Sequence, residues 1–159
     1  MAETTFVDKV TIIPTAWLNA QDARDNTNEP YLSLVTTKSV ESADHGTVFG
    51  LNLAGGFTVT LPTIAQTTAG WYCEFRVETA PTTAYIITED GGSDTNVMTG
   101  GFSSAELTDA AVAAYSAAFT QVNFVANLAV VGDWVKVRSN GTRFYIEGHT
   151  NVQAGVTVT

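Results

Sequence analysis

Side chains able to do chemistry are few and scattered in this 159-residue chain. The two histidines, His45 and His149, stand beside Gly46 and Gly148 and form no i, i+4 pair of the kind that builds a metal or hydrolase site. A histidine working as base or ligand needs a positioned partner, and the spacing supplies none, so both read as solvated loop residues. Glu89, Asp90 and Asp94 cluster with Asn96 in a glycine-rich loop, where close-set oxygens could hold calcium. Their spacing is not that of a calcium loop, and an acidic turn is the simpler reading. Gly91-Gly92 and Gly100-Gly101 lack the lysine and following helix of a phosphate-binding loop. Cys73 is the only cysteine, which excludes an internal disulfide and a cysteine-based zinc site. Its place in an alternating apolar run makes it a core residue rather than a nucleophile. These residues predict no enzyme, no cofactor and no bound metal.

The cations carry more information. Lys136, Arg138 and Arg143 are three of only seven in the chain, and they flank Asn140-Gly141, a strong short-range signal for a hairpin turn. A two-residue type I′ turn there sets Arg138 against Arg143, Val137 against Phe144, Lys136 against Tyr145 and Val135 against Ile146. One face then collects Val135, Val137, Phe144 and Ile146, and the other collects Lys136, Arg138, Arg143, Tyr145 and Glu147. Like charges directly opposed on a strand pair are unfavourable without a counter-charge. Two readings fit equally: a solvated basic face, or a contact surface whose Tyr145 and Trp134 suit an acidic partner. Asn140-Gly141-Thr142 is formally a glycosylation sequon and is read here as the turn.

Elements of the same kind fill the rest of the chain. Phe49, Leu51 and Leu53 alternate before Ala54-Gly55-Gly56, and Phe57, Val59 and Leu61 alternate after it, which predicts a second hairpin pairing Leu53 with Phe57, Leu51 with Val59 and Phe49 with Leu61. Trp71, Cys73, Phe75 and Val77 point one way along a strand ending at Glu78, and residues 84–88 form a shorter one. Ser103 to Phe119 is alanine-rich and opens with Ser103 and Glu106 in capping-box spacing, so a helix is expected, with a long excursion over the sheet as the alternative. Gly155 to Thr159 reads as a final strand or a tail that pairs with a neighbour. The fold class predicted is all-β, an antiparallel sandwich or jelly-roll-like domain over 47–159. It carries an N-terminal arm over 1–46, which includes an extended stretch from Phe6 to Pro14, a short helix from Thr15 and an edge strand near Tyr31.

Composition limits the partners. A formal charge of −9, with seven cations against sixteen acids, argues against a nucleic-acid groove, which needs clustered lysine and arginine. No apolar run approaches the roughly 20 residues of a membrane-spanning helix, and the opening residues lack a basic, apolar leader pattern, so synthesis in a cytoplasm is expected. The arm carries Phe6, Ile12, Ile13, Trp17 and Leu18, which a segment so short cannot bury alone.

Two stretches resemble a known family. Phe6-Val-Asp-Lys-Val-Thr-Ile-Ile-Pro-Thr-Ala-Trp-Leu-Asn is similar to the N-terminal segment of small virion proteins of tailed bacteriophages. Gly56-Phe-Thr-Val-Thr-Leu-Pro62, Ala69-Gly70-Trp71 and Val131-Gly-Asp-Trp-Val135, leading to Ser139-Asn-Gly-Thr-Arg-Phe-Tyr145, resemble the β domain of phage head decoration (capsid cement) proteins and of some short tail fibres. The resemblance implies a structural role on the capsid exterior, commonly as a homotrimer bridging units of the major capsid protein. Phe6, Ile12, Ile13, Trp17 and Leu18 would then anchor the arm on a coat or sister subunit, and burying them supplies on the order of 10 kcal/mol before entropy costs. The alternative expectation is a tail-fibre or receptor-binding module whose loop tips, residues 89–98 or 103–119, touch a host-surface glycan.

Overall fold

A computed structural model describes residues 30–90, 95–105 and 114–159. Six short strands come first: β1 (Tyr31–Leu34), β2 (Lys38–Ser39), β3 (Val48–Leu51), β4 (Thr58–Thr60), β5 (Tyr72–Val77) and β6 (Tyr85–Thr88). The second half adds β7 (Met98–Ser104), β8 (Ala114–Phe119), β9 (Gln121–Phe124), β10 (Trp134–Ser139), β11 (Phe144–Thr150) and β12 (Val156–Val158). They form a seven-stranded sheet, ordered β1-β3-β5-β10-β11-β7-β8, and a five-stranded sheet, ordered β12-β9-β6-β4-β2. The inward rows of both sheets make one core, with Phe49, Phe75, Val135, Val137 and Phe144 of the larger sheet and Val59, Tyr85, Ile87, Val122 and Phe124 of the smaller all fully buried. The all-β sandwich expected from alternation is therefore the fold.

Its topology is not the antiparallel one expected. The first six strands alternate between the sheets, odd numbers in the larger and even in the smaller, and each pairs parallel with the next of its own sheet. Residues 31–88 thus wind as a flattened coil, and both sheets are mixed. The predicted 49–61 hairpin is replaced by an arch, with β3 and β4 facing each other across the core rather than side by side. Alternating apolar residues are satisfied equally by either arrangement, because both bury the same row. What selects the arch is local. The Leu53 amide donates to the buried Tyr85 hydroxyl at 2.9 Å, and Gly56, at φ +64°, lies where a Cβ would stand 2.1 Å from the Thr83 carbonyl oxygen.

The central hairpin forms, with a register shifted by two residues. Ser139 pairs with Phe144, Arg138 with Tyr145, Val137 with Ile146, and Lys136 with Glu147. The loop is four residues, Asn140–Arg143, because Asn140 Oδ1 accepts from the Thr142 amide (2.9 Å), the Thr142 hydroxyl (2.9 Å) and the Arg143 amide (2.8 Å). This side-chain turn removes the need for positive φ at Asn140; in the loop only Gly141 adopts it, at +87°. A shift of two preserves the faces, so the division into apolar and polar rows stands while the cross-strand partners change. The hairpin occupies the middle of the larger sheet, between β5 and β7.

Ser103–Phe119 is not a helix where it is described: Ser103 and Ser104 end β7, and Ala114–Phe119 is β8. Alanine's helix preference is a fraction of a kcal/mol per residue, and pairing of β7 with β11 on one side and β8 on the other outweighs it. Cys73 is fully buried, and burial pushes its thiol pKa well up, in keeping with an inert core residue. The final strand is β12, antiparallel to β9, and Tyr31–Leu34 is an edge strand as read from the sequence. The arm residues Phe6, Ile12, Ile13, Trp17 and Leu18 lie outside the described residues.

Candidate functional site

The outward row of the larger sheet gathers the polar and aromatic side chains singled out in the sequence. β5 contributes Tyr72, Glu74 and Arg76, β10 contributes Trp134, Lys136 and Arg138, and β11 contributes Tyr145, Glu147 and His149. Register sets Glu74, Lys136 and Glu147 in one row across the three strands, and Arg76, Trp134 and His149 in the next. Alternation alone places these side chains: each strand buries its other row beneath them.

Within this surface the charges are paired. Arg138 meets Glu147 at 3.1 Å, Arg76 meets Glu74, and the Lys136 ammonium lies 4.7 Å from the centre of the Tyr72 ring. The Tyr31 hydroxyl donates to Glu78 at 2.7 Å, and the Ser33 hydroxyl donates to its other oxygen. Loss of hydration, then the hydrogen bond to Glu78 and its negative charge, push the Tyr31 phenol up to about 12. The face has three cations (Arg76, Lys136, Arg138) against three carboxylates (Glu74, Glu78, Glu147), so it is neutral on a chain of net −9. The expected opposition of Arg138 and Arg143 is absent: Arg138 faces Tyr145, and Arg143 sits in the loop. An acidic partner is therefore not needed to offset Arg138. Tyr145, 49% exposed, and the half-buried Trp134 leave aromatic area open on a charge-balanced surface, the chemistry of a protein contact.

The reactive candidates are taken up structurally. His45 Nδ1 accepts the Tyr72 amide hydrogen at 3.2 Å, and its ring packs edge-on to Tyr72 with centroids 4.9 Å apart. His149 Nδ1 lies 3.0 Å from the Ser103 hydroxyl, a contact the sequence reading missed because parallel β7–β11 pairing, which brings them together, has no short-range signal. Ser103 also reaches the Gly148 carbonyl at 3.3 Å, and among the described residues no carboxylate orients His149, so the pair lacks the third group that activates a serine. Glu89 is buried, and its two oxygens accept the amides of Asn96 (3.0 Å) and Val97 (3.2 Å), closing its own loop instead of presenting a calcium ligand. Asp94 lies outside the described residues, and among those described no cluster of three or more metal-ligating side chains occurs.

The concave feature of note is a recess of about 450 Å³ lined by Ser42, His45, Gln66, Thr68, Gly70 and Trp71. Trp71 is buried and its indole donates to the Ser42 carbonyl at 3.0 Å, so little ring face is offered there. No protein-family model matches this chain, and comparison with curated proteins gives no match.

Proposed function

We propose that this chain is a structural virion protein that decorates a bacteriophage capsid and bridges its coat subunits, as a homotrimer. The observation that supports the reading best is the outer face of the larger sheet. It is charge-balanced and aromatic, and its Arg138, Lys136 and Tyr145 stand on β10 and β11 in the middle of the sheet. The arm supplies the second contact, through Phe6, Ile12, Ile13, Trp17 and Leu18, and the acidic remainder of the surface keeps the exterior of a crowded shell soluble. In this role the chain performs no reaction.

The test is binding to undecorated capsids of the phage that carries this gene. The full chain is expected to bind, and Tyr145→Asp combined with Arg138→Glu is expected to abolish binding with unchanged circular dichroism. Binding unaffected by both this pair and removal of residues 1–20 would overturn the proposal. The polar side chains of the recess, Ser42, Gln66 and Thr68, favour a second reading, a receptor-binding module for a host-surface glycan. Glycan-array binding lost on Gln66→Ala would support that reading in place of the first.

A further inference from the structure

The recess at Trp71 adjoins a second hollow, of about 350 Å³, which shares Ser42 and Gln66 with it and is lined in addition by Glu41 and Asp90. The shared residues come from two single-turn 3₁₀ helices, Ser42–Asp44 and Ile64–Gln66. Both turns are tied to the sandwich. The Ser42 carbonyl accepts the indole of the buried Trp71 at 3.0 Å, and the Glu41 amide donates to Asp44 Oδ2 at 2.9 Å. Thr67, which follows the second turn, is buried; its hydroxyl donates to the Ile64 carbonyl at 2.9 Å and lies 2.8 Å from the Ser139 hydroxyl of β10. Walls fixed in this way need little ordering when a ligand enters.

The partners these side chains already have decide what they can offer a ligand. Gln66 Oε1 accepts the Thr63 amide at 2.9 Å, so its NH₂ end is the one left to bond a guest. His45 Nδ1 accepts the Tyr72 amide at 3.2 Å, so the neutral ring carries its hydrogen on Nε2 and is again a donor. Ser42 and Thr68 add hydroxyls. The first hollow is therefore a set of uncharged donors, suited to a carbonyl oxygen, and the second presents carboxylates, suited to N–H and O–H groups. Among the described residues lining either hollow none is lysine or arginine, so an anionic guest meets Glu41 and Asp90 without a counter-charge.

We infer that the paired hollows bind an N-acetylated hexosamine, as a unit of a neutral saccharide. Its acetamido carbonyl takes the donors of Gln66 and His45, and its amide N–H and ring hydroxyls take Glu41 and Asp90. A plain hexose lacks the carbonyl and leaves those donors unpaired, while a uronic acid brings a charge that the two carboxylates repel. Because Trp71 offers little ring face, hydrogen bonds rather than stacking carry the selection. The inference rests on the glycan reading of this recess and is independent of the decoration reading.

A glycan array carrying matched oligomers of hexose, N-acetylhexosamine and uronic acid, each in gluco and galacto configuration, tests it with the full chain. At least one N-acetylhexosamine series is expected to bind about tenfold or more tighter than its plain hexose counterpart, with no binding to the uronic acids. Gln66→Ala with His45→Ala should remove this preference. Glu41→Gln with Asp90→Asn should bring uronic acid binding into the measurable range, a gain that damage to the fold would not produce. Plain hexoses or uronic acids bound as well as the acetylated sugars would overturn the inference, whether or not the variants fold, and would leave the glycan reading standing. An acetamido preference that survives Gln66→Ala with His45→Ala would place the sugar elsewhere and overturn it too. Binding to no member of the array would overturn both the inference and the glycan reading.

Discussion

Asp133 offers the sharpest test of how the central hairpin is held. Its carboxylate is fully buried and spans the junction between the turn before β10 and the end of β11. One oxygen accepts from the Val130 amide at 3.0 Å and the Thr150 hydroxyl at 3.2 Å. The other accepts from the Asn151 amide at 2.8 Å and the Asn151 side chain at 2.7 Å. In Asp133→Ala the Thr150 hydroxyl keeps an acceptor, since it also reaches the Val152 carbonyl at 2.8 Å, but the Val130 and Asn151 donors lose theirs. At about 1–3 kcal/mol for each donor left without a partner, and with the two donors of the exposed Asn151 partly recovered by water, the loss is roughly 3–5 kcal/mol. Asp133→Asn preserves shape and turns one acceptor into a donor facing donors, for a loss of about 2–4 kcal/mol. Urea unfolding followed by tryptophan fluorescence reads this directly: with a slope near 2 kcal/mol per molar, the midpoint should fall by roughly 1.5–2.5 M in Asp133→Ala and roughly 1–2 M in Asp133→Asn. A midpoint lowered by less than about 0.5 M in Asp133→Ala would show that the junction is held by something other than this carboxylate.

Three further outcomes follow from named contacts. Tyr85→Phe removes the hydroxyl that accepts the Leu53 amide and bonds back to the Leu51 and Thr79 carbonyls, and should lower stability by about 1–3 kcal/mol in the same urea assay. Gly100→Ala forces a Cβ to within 1.9 Å of the Ile146 carbonyl oxygen at φ +141° and should prevent stable pairing of β7 with β11, whereas Gly55→Ala, with open space around it, should leave the thermal midpoint unchanged or slightly raised. Because the Tyr31 phenol is raised above 10 to about 12 in the folded chain, its contribution to stability is present below pH 10 and lost as pH rises toward 12. An ultraviolet tyrosine titration should show that Glu78→Gln moves this late step to lower pH, and an unmoved step would assign it to another phenol.

Much of the sandwich was legible because alternation encodes which row is buried. Trp71, Cys73, Phe75 and Val77 are all core, and the polar row of the central hairpin faces outward as read. Pairing partners were harder, since alternation is silent on whether the neighbouring apolar row lies beside a strand or across the core. That is why the 49–61 segment reads as a hairpin and folds as an arch set by Tyr85 and Gly56. The two-residue shift at Asn140 has a different origin: one side-chain oxygen accepting three hydrogen bonds outweighs the backbone preference that Asn-Gly signals. Ser103 and His149 meet only through a parallel pairing forty-six residues apart in sequence, and no local pattern announces such a pairing. The charged surface was recognised by its residues but misread in its pairing, so the Arg138–Glu147 contact replaces the expected Arg138–Arg143 repulsion.

The proposed decoration role is tested most directly by an image of a phage particle at a resolution that traces this chain. The account predicts many copies on the outside of the head, in threefold groups, with β10 and β11 turned toward a coat or sister subunit and Tyr145 buried at the contact. Finding the chain only at the tail, with Tyr145 facing solvent and the Trp71 recess facing a host sugar, or not finding it in the particle at all, would contradict it.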